Sequence, residues 1–136
     1  KLCEVDFSKI LKDDPDLARN LVFIAELWQG EQMVSRQTAY FAPSKHLELK
    51  EPEISAQVKV ENETAHITLT AASLSRLVEL TFEGEEAVFS DNYFDLPAKR
   101  SISVTVPVPA GWEETEIQSA LKIRSVYDTY AHAANA

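Results

Sequence analysis

The stretch ISAQVKVENETAHITLT, Ile54 to Thr70, decides the fold. Ile54, Ala56, Val58 and Val60 fall on one side of an extended chain, and Ser55, Gln57, Lys59 and Glu61 on the other. A period of two marks a strand with one face buried and one in water. Asn62-Glu63-Thr64 interrupts the run. Alternation then resumes, with Ile67, Leu69 and Ala71 facing inward and His66, Thr68 and Thr70 outward. Two such runs joined by a tight turn form a β-hairpin.

The pattern continues on both sides of this hairpin. Ile102, Val104 and Val106 alternate with Ser101, Ser103 and Thr105. Leu21 to Trp28 is apolar on both sides except for Glu26, which predicts a central strand covered on both faces. Gln29-Gly30-Glu31-Gln32 puts glycine where a hairpin turn needs positive φ, and the return strand runs from Met33 to Phe41. Leu77 to Phe82 is another strand, closed by a turn at Gly84. Shorter strand signals lie at Leu2 to Phe7, Ala87 to Phe89 and Leu121 to Tyr127. Helix signals are confined to one turn started by Asp14-Pro15 and a short segment within Trp112 to Ala120. Pro43, Pro52, Pro97, Pro107 and Pro109 fall between strands. About seven to eight short strands separated by turns predict an all-β, immunoglobulin-like two-sheet antiparallel sandwich, one domain over residues 1–136.

Composition sets the class of partner. The chain has 136 residues, 45% of them hydrophobic and 26% charged, which suits a soluble globular domain able to bury its own core. No apolar run reaches the ~18 residues of a membrane span. Asp and Glu number 22 against 13 Lys and Arg, for a net charge of −9. That field repels a polyanion, so nucleic acid is excluded as a partner. The single cysteine, Cys3, sits in an alternating apolar run and reads as a small core residue. Lys1 leads into structured-looking sequence without an initiator methionine or a signal-peptide pattern, which predicts a fragment of a longer chain and assigns no compartment.

Several motifs invite a chemical reading. FSDNYFDL, Phe89 to Leu96, contains the Ser-Asp-Asn triplet of β-lactamases. That enzyme needs a Ser-x-x-Lys element before the triplet and a Lys-Thr-Gly after it. Here Ser119-Ala120-Leu121-Lys122 comes afterwards, and Lys-Thr-Gly does not occur. Ser90, Asp91 and Asn92 read instead as a bend, since short polar side chains bond nearby backbone amides. Tyr93, Phe94 and Leu96 would then anchor that bend on the core or on a neighbouring domain.

His46, His66 and His132 lack zinc-ligand spacing. Asp91, Asn92 and Asp95 are interrupted by Tyr93 and Phe94 and do not make a calcium loop. The sequence therefore predicts no metal, no cofactor and no catalytic residue. Asn62-Glu63-Thr64 matches the glycosylation sequon but also suits a hairpin turn. Trp28, Tyr40, Tyr93, Trp112, Tyr127 and Tyr130 supply the aromatic rings from which a sugar platform could be drawn. Trp28 and Tyr40, on adjacent strands, read as core or rim residues.

Three segments carry a resemblance. LVFIAELWQGEQMVSRQTAYFAPSKHLEL (Leu21 to Leu49), LSRLVELTFEGEEAVFSDNYFDLPAKRSISVTV (Leu74 to Val106) and LKIRSVYDTY (Leu121 to Tyr130) resemble the C-terminal region of β-mannosidases of glycoside hydrolase family 2. The resemblance departs after Phe-Asp-Leu, where the family's Pro-Gly-Glu-like turn is replaced by Pro97-Ala98-Lys99-Arg100. It implies a parent enzyme with a sugar-binding-like domain, sandwich domains and a catalytic (β/α)₈ barrel that removes terminal β-mannose by a retaining mechanism. It also implies that the catalytic glutamates lie on the barrel, so none is carried onto this chain. The expected role is a non-catalytic domain buttressing the barrel, with the parent's other domains and mannosides as partners. An independent carbohydrate-binding module and a protein-interaction sandwich are the alternatives.

Overall fold

The computed structural model describes residues 4–134. The expected strand over Leu2 to Phe7 falls partly outside them and Cys3 wholly so. Within them, residues 4–7 form no strand and lead into helix α1, Ser8–Asp13. The chain packs as two compact units, Lys1–Glu48 and Leu49–Ala136. The sequence-based expectation was a single sandwich over residues 1–136. All strands of the sandwich come from the second unit.

In the first unit α1 and a 3-10 segment, Pro15–Arg19, precede an antiparallel hairpin of β1, Val22–Gln29, and β2, Gln32–Tyr40. Gly30 turns it at φ 62. Glu26 lies opposite Arg36, and the two join in an ion pair at 2.9 Å, which explains how a carboxylate fits an otherwise apolar run. Phe7 packs edge-on against Phe23 and Phe41, with ring centroids 5.5 and 5.0 Å apart. β1 is not the doubly covered central strand that its composition predicts. Among the described residues it pairs with β2 alone, and Leu27 and Trp28 are 61% and 51% exposed. Composition records which side chains favour burial, but the number of flanking strands is set by pairing partners distant in sequence.

The second unit is the predicted sandwich. One sheet has the order β3-β4-β7, from Ser55–Glu61, Thr64–Thr70 and Ser101–Pro107. The other has the order β6-β5-β8, from Phe94–Leu96, Ser75–Phe82 and Leu121–Arg124. All pairings are antiparallel. Asn62 and Glu63 both take positive φ, 48 and 60, as a two-residue type I′ hairpin turn requires. The register aligns Val58, Ile67 and Val104 in one row and Val60, Ala65 and Val106 in the next. Ala65, Ile67, Leu69, Val104 and Val106 of this sheet meet Val78, Leu80, Phe82 and Leu96 of the other in one buried core.

β5 keeps its inward face through a bulge. Ser75 and Val78 are both buried although three residues apart, and Leu77 between them takes φ 49. Helix α2, Glu114–Ala120, buries Ile117, and the Glu113 N–H donates to the Glu116 carboxylate at 2.9 Å. The strand predicted over Leu121 to Tyr127 stops at Arg124. Asp128 accepts the Ser125 N–H at 2.6 Å, and helix α3, Val126–Ala134, follows. Ser125-x-x-Asp128 is a capping-box pattern, whose local hydrogen bonds end the extended chain.

Ala87 to Phe89 is also not a strand. Residues 89–93 form a strap between the sheets. Phe89 is buried. Ser90 donates its N–H to the Thr105 carbonyl and accepts the Thr105 N–H on its hydroxyl, both at 2.8 Å. Asn92 binds the opposite sheet, its Oδ1 accepting the Leu80 N–H at 2.7 Å and its Nδ2 donating to the Leu80 carbonyl at 2.9 Å. The side-chain amide thus acts as a peptide group that extends the ladder beyond the end of β6. Leu96 anchors the strap in the core and Phe94 is half-buried. Tyr93 is not a core anchor, because its ring is 61% exposed.

Asn92→Ala leaves both Leu80 backbone groups unpaired in a buried strand, a loss of about 1–3 kcal/mol. Each kcal/mol lowers the melting temperature of a unit this size by about 4–8 °C. Among the described residues Asp91 accepts only the N–H of Asn92, at 2.8 Å, from an exposed position. Asp91→Ala should therefore cost clearly less than Asn92→Ala when the two are melted side by side. Equal losses would contradict the ladder role of Asn92. At the divergent turn, Arg100 N–H reaches the Pro97 carbonyl at 3.2 Å and Lys99 takes φ 58. A side chain is strained there, so Lys99→Gly should raise stability by about 1 kcal/mol in denaturant titration.

Candidate functional site

The bulge of β5 and the strap meet on the outer face of the β6-β5-β8 sheet. Leu77 is pushed outward by its left-handed backbone and held by its N–H, which donates to Asp95 Oδ1 at 3.0 Å. Asp95 also lies 3.4 Å from Arg76. Tyr93 takes φ 58 and donates its N–H to the Val78 carbonyl at 2.7 Å. Its hydroxyl donates to Glu79 Oε1 at 2.9 Å. The ring is exposed and at the same time fixed at both ends.

An open groove of about 650 Å³ lies beside it, lined by Leu77, Glu79, Tyr93, Arg124, Asp128 and Thr129 among others. That volume is within the range of small-molecule sites. Arg124 stands opposite Glu79 in the β5–β8 register. Asp128 is committed to Ser125 at the start of α3. The groove thus offers one aromatic face, aliphatic side chains of Leu77, Ile123 and Val126, the carboxylates of Glu79 and Asp128, and the guanidinium of Arg124.

The other chemical readings resolve into structure. Ser90, Asp91 and Asn92 spend their polar atoms on backbone groups. Asn92 and Asp95 receive N–H donors, the opposite of what a cation requires, and among the described residues no group of three His, Cys, Asp or Glu could hold a metal ion. His66 is exposed on the outer face of β4, as the alternation predicts. Of the aromatic residues, Trp112 packs against Phe82 at 5.4 Å. Trp28 and Tyr40 belong to the first unit. Tyr93 alone of the six lines the groove. Sequence reasoning missed Glu79 and Arg124, because only the β5–β8 register places them opposite each other.

Residues 49–129 match the family model of the Ig-fold domain of mannosidases, and residues 1–46 match that of the mannosidase Ig/CBM-like domain. The first match spans more than half of the chain. The chain belongs to the mannosidase Ig-fold family. No curated protein matches it. Among solved structures, the β-D-mannosidase from Dictyoglomus thermophilum is similar, with a TM-score of 0.68 and 24% identity. The match covers 77% of this chain and 13% of that one, so this chain spans a small part of the enzyme's length. The two family matches meet between residues 46 and 49, where the packing also divides the chain. Among the described residues no helix of this mannosidase Ig-fold chain is long and apolar enough to cross a membrane.

The Glu79 carboxylate accepting the Tyr93 hydroxyl raises the phenol above its ordinary value of 10.0, because ionisation would place two negative groups side by side. A phenol that holds its proton more tightly when folded stabilises the fold below the unfolded value, and this contribution is lost as pH rises through the folded value. Absorbance titration should show Tyr93 ionising above the ordinary phenol value, and Glu79→Gln should lower its ionisation. Identical titration curves for the two proteins would mean that the contact does not persist in solution.

Proposed function

We propose that this chain is a non-catalytic accessory part, at the C-terminal side, of a β-mannosidase-type glycoside hydrolase. The parent enzyme removes terminal β-D-mannose with retention, and the sandwich buttresses its catalytic barrel. The observation that carries this reading is the pair of consecutive family matches, both to mannosidase domains, running through nearly the whole chain. The parent's other domains are then its partners.

A retaining glycosidase needs two carboxylates about 5–5.5 Å apart, one as nucleophile and one as acid and base. Glu79 and Asp128 both line the groove, yet each is engaged structurally, by the Tyr93 hydroxyl and by the Ser125 N–H and hydroxyl. A pair held in this way supports a positioning role over turnover.

The purified chain should leave aryl β-mannosides unhydrolysed. Removing residues 49–136 from the parent enzyme should lower its melting temperature while leaving kcat nearly unchanged at temperatures where both forms remain folded. Turnover by the isolated chain that disappears with Glu79→Gln would move catalysis onto this domain and overturn the accessory reading.

A further inference from the structure

The groove beside Tyr93 has features that buttressing does not require. Two non-glycine residues, Leu77 and Tyr93, hold left-handed backbone on the same rim, at φ 49 and 58. Such conformations are strained for residues with a side chain and gather at ligand clamps. Here they have the joint effect of turning a leucine and a tyrosine out of the sandwich, 48% and 61% exposed. A tyrosine that served only the core would face inward, as Leu96 does. This residue is instead fixed at the surface, by its backbone N–H on the Val78 carbonyl and by its ring hydroxyl on Glu79. An amphipathic ring held rigid binds at little entropic cost. Glu79 presents acceptors at one side, and the guanidinium of Arg124 supplies donors from the neighbouring strand.

We propose that this groove takes one pyranose ring of a β-linked manno-oligosaccharide, its C–H face on Tyr93 and its hydroxyls between Glu79 and Arg124. Aliphatic C–H groups on one side and a rim of hydroxyls on the other match an aromatic floor between an acceptor and a donor. The choice of mannoside among pyranosides rests on the accessory role proposed above. The groove would add a contact for the sugar chain away from the reacting bond, so its effect in the parent falls on oligosaccharides and not on aryl mannosides.

The test is an amide NMR titration of the full chain with β-1,4-mannohexaose, alongside cellohexaose. A single-ring site predicts saturable shifts confined to the neighbourhood of Leu77, Tyr93 and Arg124, with a Kd of about 1 mM. Tyr93→Asn removes the ring but keeps a residue that tolerates left-handed backbone, and it should weaken binding at least about tenfold while the amide spectrum away from the groove stays that of the folded chain. Arg124→Gln, at an exposed position, should weaken it several-fold without unfolding risk. Absence of localised shifts at about 10 mM sugar, or shifts unchanged in Tyr93→Asn, overturns the site. Equal or tighter binding of cellohexaose overturns the mannoside assignment. Each of these failures leaves the accessory role standing, because that role is read from the truncated parent enzyme and not from this titration.

Discussion

The hydrogen bonds of the 89–93 strap hold a position that the rest of the sandwich depends on. In a two-sheet sandwich the ladders run within each sheet, and packing alone joins one sheet to the other. Here Ser90 is bonded twice to Thr105 in one sheet, and two residues later Asn92 is bonded twice to Leu80 in the other. Phe89 is buried just before these bonds and Leu96 just after them. The strap therefore fixes the spacing and the relative register of the two sheets, with short polar side chains doing what backbone does elsewhere. It also satisfies Leu80, which would otherwise expose a buried strand to the cost of unpaired peptide groups.

The same constraint shapes the outer surface. With Asn92 tied to Leu80 and Phe94 opposite Val78, Tyr93 between them takes left-handed backbone. Leu77 makes the matching adjustment on β5, where the bulge lets Ser75 and Val78 both face inward. The exposed tyrosine, the exposed leucine and the groove between β5, β8 and α3 thus follow from how the strap is closed. Structure and candidate site share one cause, which is why the polar triplet looks like chemistry in sequence and behaves as architecture in space.

The first unit follows different physics. Its hairpin carries a partly buried Glu26–Arg36 pair and a cluster of Phe7, Phe23 and Phe41. Arg19 and Asn20 both reach Glu48, at 3.3 and 2.9 Å, and the Glu48 N–H returns to the Arg19 carbonyl at 3.0 Å. These contacts close the unit on itself at the residue where the packing divides. A lone two-stranded hairpin has little stability of its own, so the contributions of α1 and of this clamp are what hold it. The division between two mannosidase family matches at the same place gives the boundary an independent basis.

The sequence by itself determined the all-β class, the hairpin from Ser55 to Thr70, the inward face of β7 and the turns at Gly30 and Gly84, because period-two alternation and positive-φ residues are local properties. It also carried the helix within 112–120 and the family resemblance. The Ser125-x-x-Asp128 cap was equally legible, and it would have shortened the last strand at Arg124. Tertiary structure alone decided the rest. Whether β1 is central or paired once depends on distant strands. Whether Tyr93 faces the core depends on the side-chain bonds that fix Asn92 before it. That Glu79 and Arg124 share a groove depends on antiparallel register between segments more than forty residues apart in the chain. Alternation can assign a side chain to a face, but the neighbour across that face is chosen only when the sheets close.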